Sequence, residues 1–169
     1  MDRRKFITAI GASTAVAVAG CSDGGSSNGG GGGGNDADTS SPTAIVESFY
    51  EASDEVDEDA STDEILDAVD PYLHSASPFP DVIRESEDSD DSQTRSLESI
   101  STEIIEENVD ESALNNQYGL SFFDVSEDDV AAVAEENAIV EGQLSYDNGD
   151  DQQVQHITAT EGGDWLLVL

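Results

Sequence analysis

The side chains in this sequence best suited to chemistry near neutral pH are two histidines, His74 and His156, and one cysteine, Cys21. His156 falls between Val154 and Thr158 in strand-like alternation. It is expected to face a domain interior beside Tyr146 or Trp165, where a histidine can act as a pocket base or simply as a satisfied sheet residue. His74 follows an apolar helical stripe near Tyr72, which makes it a candidate base at a pocket mouth or an ordinary helix-end residue. The acids Asp57-x-Asp59 and Asp88-x-Asp90-x-Ser92 imitate the start of a calcium loop. Neither run has the glycine at its sixth position or the glutamate at its twelfth, so a solvated acidic face accounts for them and no metal site is assigned. The sequence has no Gly-x-Ser-x-Gly, His-Glu-x-x-His, Cys-x-x-Cys or phosphate-loop motif, and it names no catalytic residue and no cofactor.

Cys21 has a different context. Arg3, Arg4 and Lys5 precede a modestly apolar run from Phe6 to Gly20, and small residues lead into the cysteine. That is the layout of a secretory signal, and Arg3-Arg4 followed by Lys5-Phe6-Ile7 resembles the twin-arginine signal read by an export receptor. Val18-Ala19-Gly20-Cys21 resembles a lipobox. The resemblance implies cleavage after Gly20 and a lipid on the Cys21 sulfur, which makes the membrane a partner through that residue. A single acyl chain, at about 0.8 kcal/mol per buried CH₂, holds a protein only marginally, whereas two chains hold it stably. The run Phe6–Gly20 has 15 residues, short of the roughly 20 needed to span a bilayer as a helix. With one cysteine in the chain, no intrachain disulfide can form. The expected location is therefore the extracytoplasmic face of the cell membrane, lipid-anchored.

Charge says where such a chain could fold. From Cys21 onward there are 38 acidic residues against Arg84 and Arg95, a formal charge of −36. Self-repulsion of that size opposes a compact state unless salt screens it, and at about 1 M salt the Debye length is only about 3 Å. Abundant Asp and Glu with almost no Lys therefore read as adaptation to high salt. Nothing in the mature part could neutralise phosphates, which excludes nucleic acid as a partner.

The elements that must position these residues divide the chain in three: a signal peptide over 1–20, the lipidated cysteine with a disordered Gly/Ser-rich tether over 21–42, and an acidic domain over 43–169. The tether includes six consecutive glycines, Gly29–Gly34, and as a random coil of about 20 residues it reaches roughly 25 Å. In the domain, Ser41 or Thr43 can cap a helix with the stripe Ile45, Val46, Phe49, Ala52 and Val56. A second helix begins at Ser61 or Thr62, buries Ile65, Leu66, Val69 and Leu73, and is kinked or ended by Pro71. Residues 75–96 read as loop because of Pro78, Pro80 and the acidic tract Glu85–Asp91, with Arg84 and Arg95 placed to pin it by ion pairs. A strand is expected over Leu97–Val109 with a bulge at Ile105, then a short helix over Glu111–Tyr118 and a helix capped by Ser126 that carries Val130, Val133 and Ala134. Ala138, Val140, Leu144 and Tyr146 alternate inward, a turn at Asp147–Asp150 returns the chain as Gln152–Thr160, and a second turn over Glu161–Asp164 leads into an apolar strand, Trp165–Leu169.

Helices, a strand, a helical insert and an antiparallel meander make an α+β domain. Its element order, its start Ile45-Val46-Glu47-Ser48-Phe49-Tyr50 and its close Gly162-Gly163-Asp164-Trp165-Leu166-Leu167-Val168 resemble the nuclear transport factor two-like superfamily. That superfamily, also called cystatin-like cones, includes SnoaL-like cyclases, ketosteroid isomerase and scytalone dehydratase. The resemblance implies N-terminal helices packed on a curved antiparallel sheet that encloses a pocket. No catalytic pattern of that superfamily aligns with residues here. The whole assembly also resembles haloarchaeal lipoproteins. Three functions fit: a non-catalytic module binding a small-molecule ligand or an envelope protein, an isomerase-, dehydratase- or cyclase-like enzyme using His156 and a carboxylate, and a structural envelope component.

Overall fold

Ser41 sets the start of the first helix. Its backbone is extended, its hydroxyl accepts the Ala44 N–H at 3.1 Å, and Pro42 fills the first helical position, where a missing N–H costs nothing. The computed structural model describes residues 37–57, 60–85, 96–123 and 125–169. The signal and lipidation residues Arg3, Arg4 and Cys21, Arg95, Asp59 and the Asp88–Ser92 run lie outside them. Helix α1 spans Pro42–Glu55 and buries Ile45, Val46, Phe49, Tyr50 and Ala52, the expected stripe with Tyr50 added and without Val56, which caps the helix and is only half-buried. Contacts with the core include residues ahead of the helix. Ala37 packs on the core, and the Thr39 carbonyl accepts the Trp165 N–H at 3.0 Å.

Helix α2, Thr62–Val69, is opened by a reciprocal pair. Ser61 Oγ accepts the Glu64 N–H, and Glu64 Oε2 accepts the Ser61 N–H at 2.8 Å. Pro71 then turns the chain through a single 3₁₀ turn, Asp70–Tyr72. The expected loop over 75–96 needs correction, because Phe79–Glu85 is a helix, α3. Its prolines mislead. Pro80 sits in the first turn, where it breaks no helical bond, and the Pro78 carbonyl accepts the Asp81 and Val82 N–H groups. Phe79 is buried and meets the Phe49 ring edge-on, centroids 5.3 Å apart. Arg84 pairs with Asp81 inside this helix at 3.4 Å, both exposed, so the pair contributes little.

Strand β1 spans Leu97–Glu107, and a register shift between Ile104 and Glu106 leaves Ile105 as the bulged residue. Two short helices follow, α4 at Glu111–Asn116 and α5 at Glu127–Glu135, the latter capped by Ser126. Then β2 (Asn137–Tyr146), β3 (Asp151–Glu161) and β4 (Asp164–Leu167) complete a four-stranded antiparallel sheet in the order β1-β2-β3-β4. Gly162 and Gly163 both have positive φ, +67° and +100°, the backbone a two-residue hairpin demands. The last strand is shorter than expected. Val168 and Leu169 leave it but stay buried, bonded to Ile157 of β3.

The sheet carries a core on each face. On one, α1, α2 and α3 cover Val140, Leu144, Tyr146, Val154 and Leu167. On the other, Val109, Leu114, Val130 and Val133 cover Ile139, Ile157 and Ala159. Val140 pairs with His156 and Ile139 with Ile157, so neighbouring residues of β2 and β3 serve opposite cores. That explains the unbroken apolar run Ala138-Ile139-Val140. It also fixes where His156 must point. Its side chain lies on the α1 face.

Candidate functional site

His156 is 3% exposed and makes two hydrogen bonds. Its Nδ1 lies 3.0 Å from the Leu169 main-chain oxygen, and its Nε2 lies 2.8 Å from the Tyr50 hydroxyl. The Leu169 oxygen can only accept, so Nδ1 carries the proton; in the neutral ring, Nε2 then accepts from the Tyr50 O–H. Burial pushes the imidazole pKa down to about 4, against a weaker opposing effect of the Leu169 oxygen. Burial also drives the Tyr50 phenol well above its usual range, assisted by Tyr146 nearby. The group is thus a neutral imidazole bonded to a neutral phenol. The Tyr50 ring stands edge-on to both His156 and Phe49, with centroids 5.5 and 5.4 Å away.

The other expected pocket residues are placed differently. Tyr146 is buried in the α1-side core, and Trp165 is half-buried at the margin of that core. The partners of the His156 ring are the Tyr50 phenol and the Leu169 main-chain oxygen, and among the described residues no Asp or Glu side chain bonds to it. His74 is also buried, 5% exposed. Its N–H donates to the Leu167 carbonyl at 2.8 Å and its Nδ1 accepts the Ala76 N–H at 3.0 Å, tying the end of the 3₁₀ turn to β4. Burial lowers its pKa, while Glu161, Asp129 and the Thr160 carbonyl act in the opposite direction.

Two residues that matter to this architecture carry no sequence signal strong enough to single them out. Tyr50 lies one position off the apolar stripe of α1, and its partner is 106 residues away. Asn137 is 1% exposed. Its Nδ2 donates to the Val109 and Val133 carbonyls, both at 3.0 Å, and its Oδ1 accepts the Val109 N–H at 2.9 Å. One amide therefore joins the end of α5, the start of β2 and the chain just past β1.

An open groove of about 440 Å³ lies on the surface between α1 and β1, lined by Glu47, Glu51, Asp54 and Glu55 from the helix and Leu97–Ile100 from the strand. Glu47 accepts the Thr102 hydroxyl at 2.6 Å, and Asp54 accepts the Leu97 N–H at 2.8 Å. These bonds hold the acidic helix face against the strand. Among the described residues no cluster of three or more His, Cys, Asp or Glu side chains is arranged to hold a metal, and no helix is long and apolar enough to cross a membrane. Comparison of the chain with protein families, with curated proteins and with solved structures found no match.

Proposed function

We propose that this chain is a lipid-anchored domain of a halophile, displayed on the extracytoplasmic face of the cell membrane, where it serves as a non-catalytic module binding a ligand or an envelope protein. One observation supports the non-catalytic reading above the others. His156, the side chain best placed by sequence to act as a base, is sealed in the core with both nitrogens bonded within the protein. A general base has to come within hydrogen-bond reach of a substrate proton, and this ring is 3% exposed with both nitrogens already engaged. Its depressed pKa has the same origin, since burial favours the uncharged ring.

The anchoring half of the proposal is supported by sequence: Arg3 and Arg4 ahead of a short apolar run, the lone Cys21 after small residues, and a glycine-rich spacer. The cone-like fold belongs to the proposal as well. Three helices ahead of β1, two more before β2 and a closing meander are compatible with it.

A Cys21→Ser variant expressed in the native host tests this reading. The variant is expected to leave the membrane fraction and appear in the medium, folded in high salt. Retention equal to that of the unaltered chain overturns the anchor.

A further inference from the structure

The two edges of the sheet are treated differently. The outer side of β4 is covered: Leu73 bridges to Leu167, His74 donates to the Leu167 carbonyl, and the Trp165 N–H reaches Thr39. The outer side of β1 has no strand beside it among the described residues. In an antiparallel pair every second residue turns its N–H and C=O away from its partner, so this edge offers a row of main-chain groups that no strand among the described residues bonds. The regular stretch Ser99–Ile104, between two register shifts, is open to such pairing, and Ile104 and Ile105 at its end are 42% and 44% exposed.

The acidic groove opens beside the start of that edge, where Leu97–Ile100 line it, and Glu47 carries the row of carboxylates on to Thr102. A strand added to β1 would alternate its side chains between the two faces of the sheet, and those on the α1 face would enter the groove. There they would meet Glu47, Glu51, Asp54 and Glu55 above and Glu98 beside them. From Glu47 to Glu55 the helix rises about 12 Å. Three alternate positions of a strand span about 13 Å, so the two repeats match. Arg84 is the one Lys or Arg among the described residues, and it pairs with Asp81 on α3, so no cation of the described body neutralises the groove. A second copy of the chain is a poor occupant, since it would bring an identical row of carboxylates to the seam.

We infer that the free edge of β1 docks an extended segment of a partner protein by strand addition, the segment carrying lysine or arginine at three alternate positions that face the carboxylates of α1. Main-chain bonds to β1 supply the attachment and the alternation of charge supplies selectivity. The inference rests on the protein-binding reading given above and names the surface that would do the binding.

The test uses the mature protein in salt at which it is folded. The probe is an acetylated, amidated heptapeptide alternating three lysines with threonine and valine. Its controls are a peptide of the same composition with the lysines contiguous and the alternating peptide N-methylated along one edge. The alternating peptide is expected to bind saturably, to protect amides within Ser99–Ile104 from exchange, and to bind about tenfold more tightly than the N-methylated control and about threefold more tightly than the contiguous one. A Glu51→Gln/Glu55→Gln variant, altered at two exposed positions whose ion pairs salt weakens, is expected to bind it about two- to threefold more weakly. Equal binding of all three peptides marks non-specific attraction to an acidic surface and overturns the inference, as does unchanged binding by the double variant. If the alternating peptide fails while membrane retention still depends on Cys21, β1 is not the docking edge and the anchored-module reading stands. Specific binding in a chain whose retention ignores Cys21 supports the inference and removes the anchor.

Discussion

Replacing His156 with asparagine removes a titratable group from the core while leaving an amide where Nδ1 now meets the Leu169 oxygen. The consequence depends on pH, and its sign follows from the direction of the shift. The folded pKa is about 4 against an ordinary value of 6.5, so between these values the unfolded chain binds a proton that the folded chain refuses. Stability is full above pH 6.5, falls as the pH drops towards 4, and loses nothing further to this group below that. The full shift corresponds to about 3 kcal/mol, most of it lost by pH 4.5. At pH 7.5 the variant loses the Tyr50 bond and leaves a buried hydroxyl short of a partner, a cost of about 1–3 kcal/mol. Urea unfolding at constant high salt, run from pH 7.5 to 4.5, measures both quantities. The unaltered chain is expected to start more stable and to lose that lead as the pH falls, so the two curves meet or cross. Taking the difference between the chains cancels the titration of the surface acids, which both share. A difference that stays flat across the range would refute the claim that His156 is a sealed, neutral residue, and with it the main support for a non-catalytic core.

Other perturbations test separate parts of the account. Lowering salt from about 3 M to 0.1 M should unfold the mature domain as its carboxylates lose screening, read by circular dichroism; cooperative folding unchanged at low salt would contradict the reading of its charge. Gly142→Ala places a methyl group 2.9 Å from Val154 Cγ2 across the β2–β3 pair, and the strain should cost about 1–3 kcal/mol in urea unfolding. Asn137→Ala removes three buried hydrogen bonds and orphans the Val109 N–H. A loss of about 3 kcal/mol is expected, whereas a loss under about 1 kcal/mol would show that water replaces the amide.

How much of this was legible in the sequence depended on how local the cause was. Ser41, Ser61 with Glu64, and Ser126 announce their helices because a cap and its target lie three residues apart. The turn glycines and the Ile105 bulge could be read for the same reason: a positive φ or a break in alternation is a short-range event. Helix α3 was hidden because a proline reads as a breaker unless its place in the first turn is known, and that place depends on Phe79 finding Phe49. The inward direction of His156 followed from alternation. Its partner did not, because Tyr50 is brought to it only when α1 crosses the sheet. The groove is a product of the same packing: Glu47, Glu51, Asp54 and Glu55 are acids of one helix in the sequence, and only β1 beside them makes a groove.

Mass spectrometry of the protein extracted from its native membrane tests the central claim most directly. The account predicts a mature chain that begins at Cys21 and carries a lipid on its sulfur. A chain that begins elsewhere, or an unmodified Cys21, contradicts it.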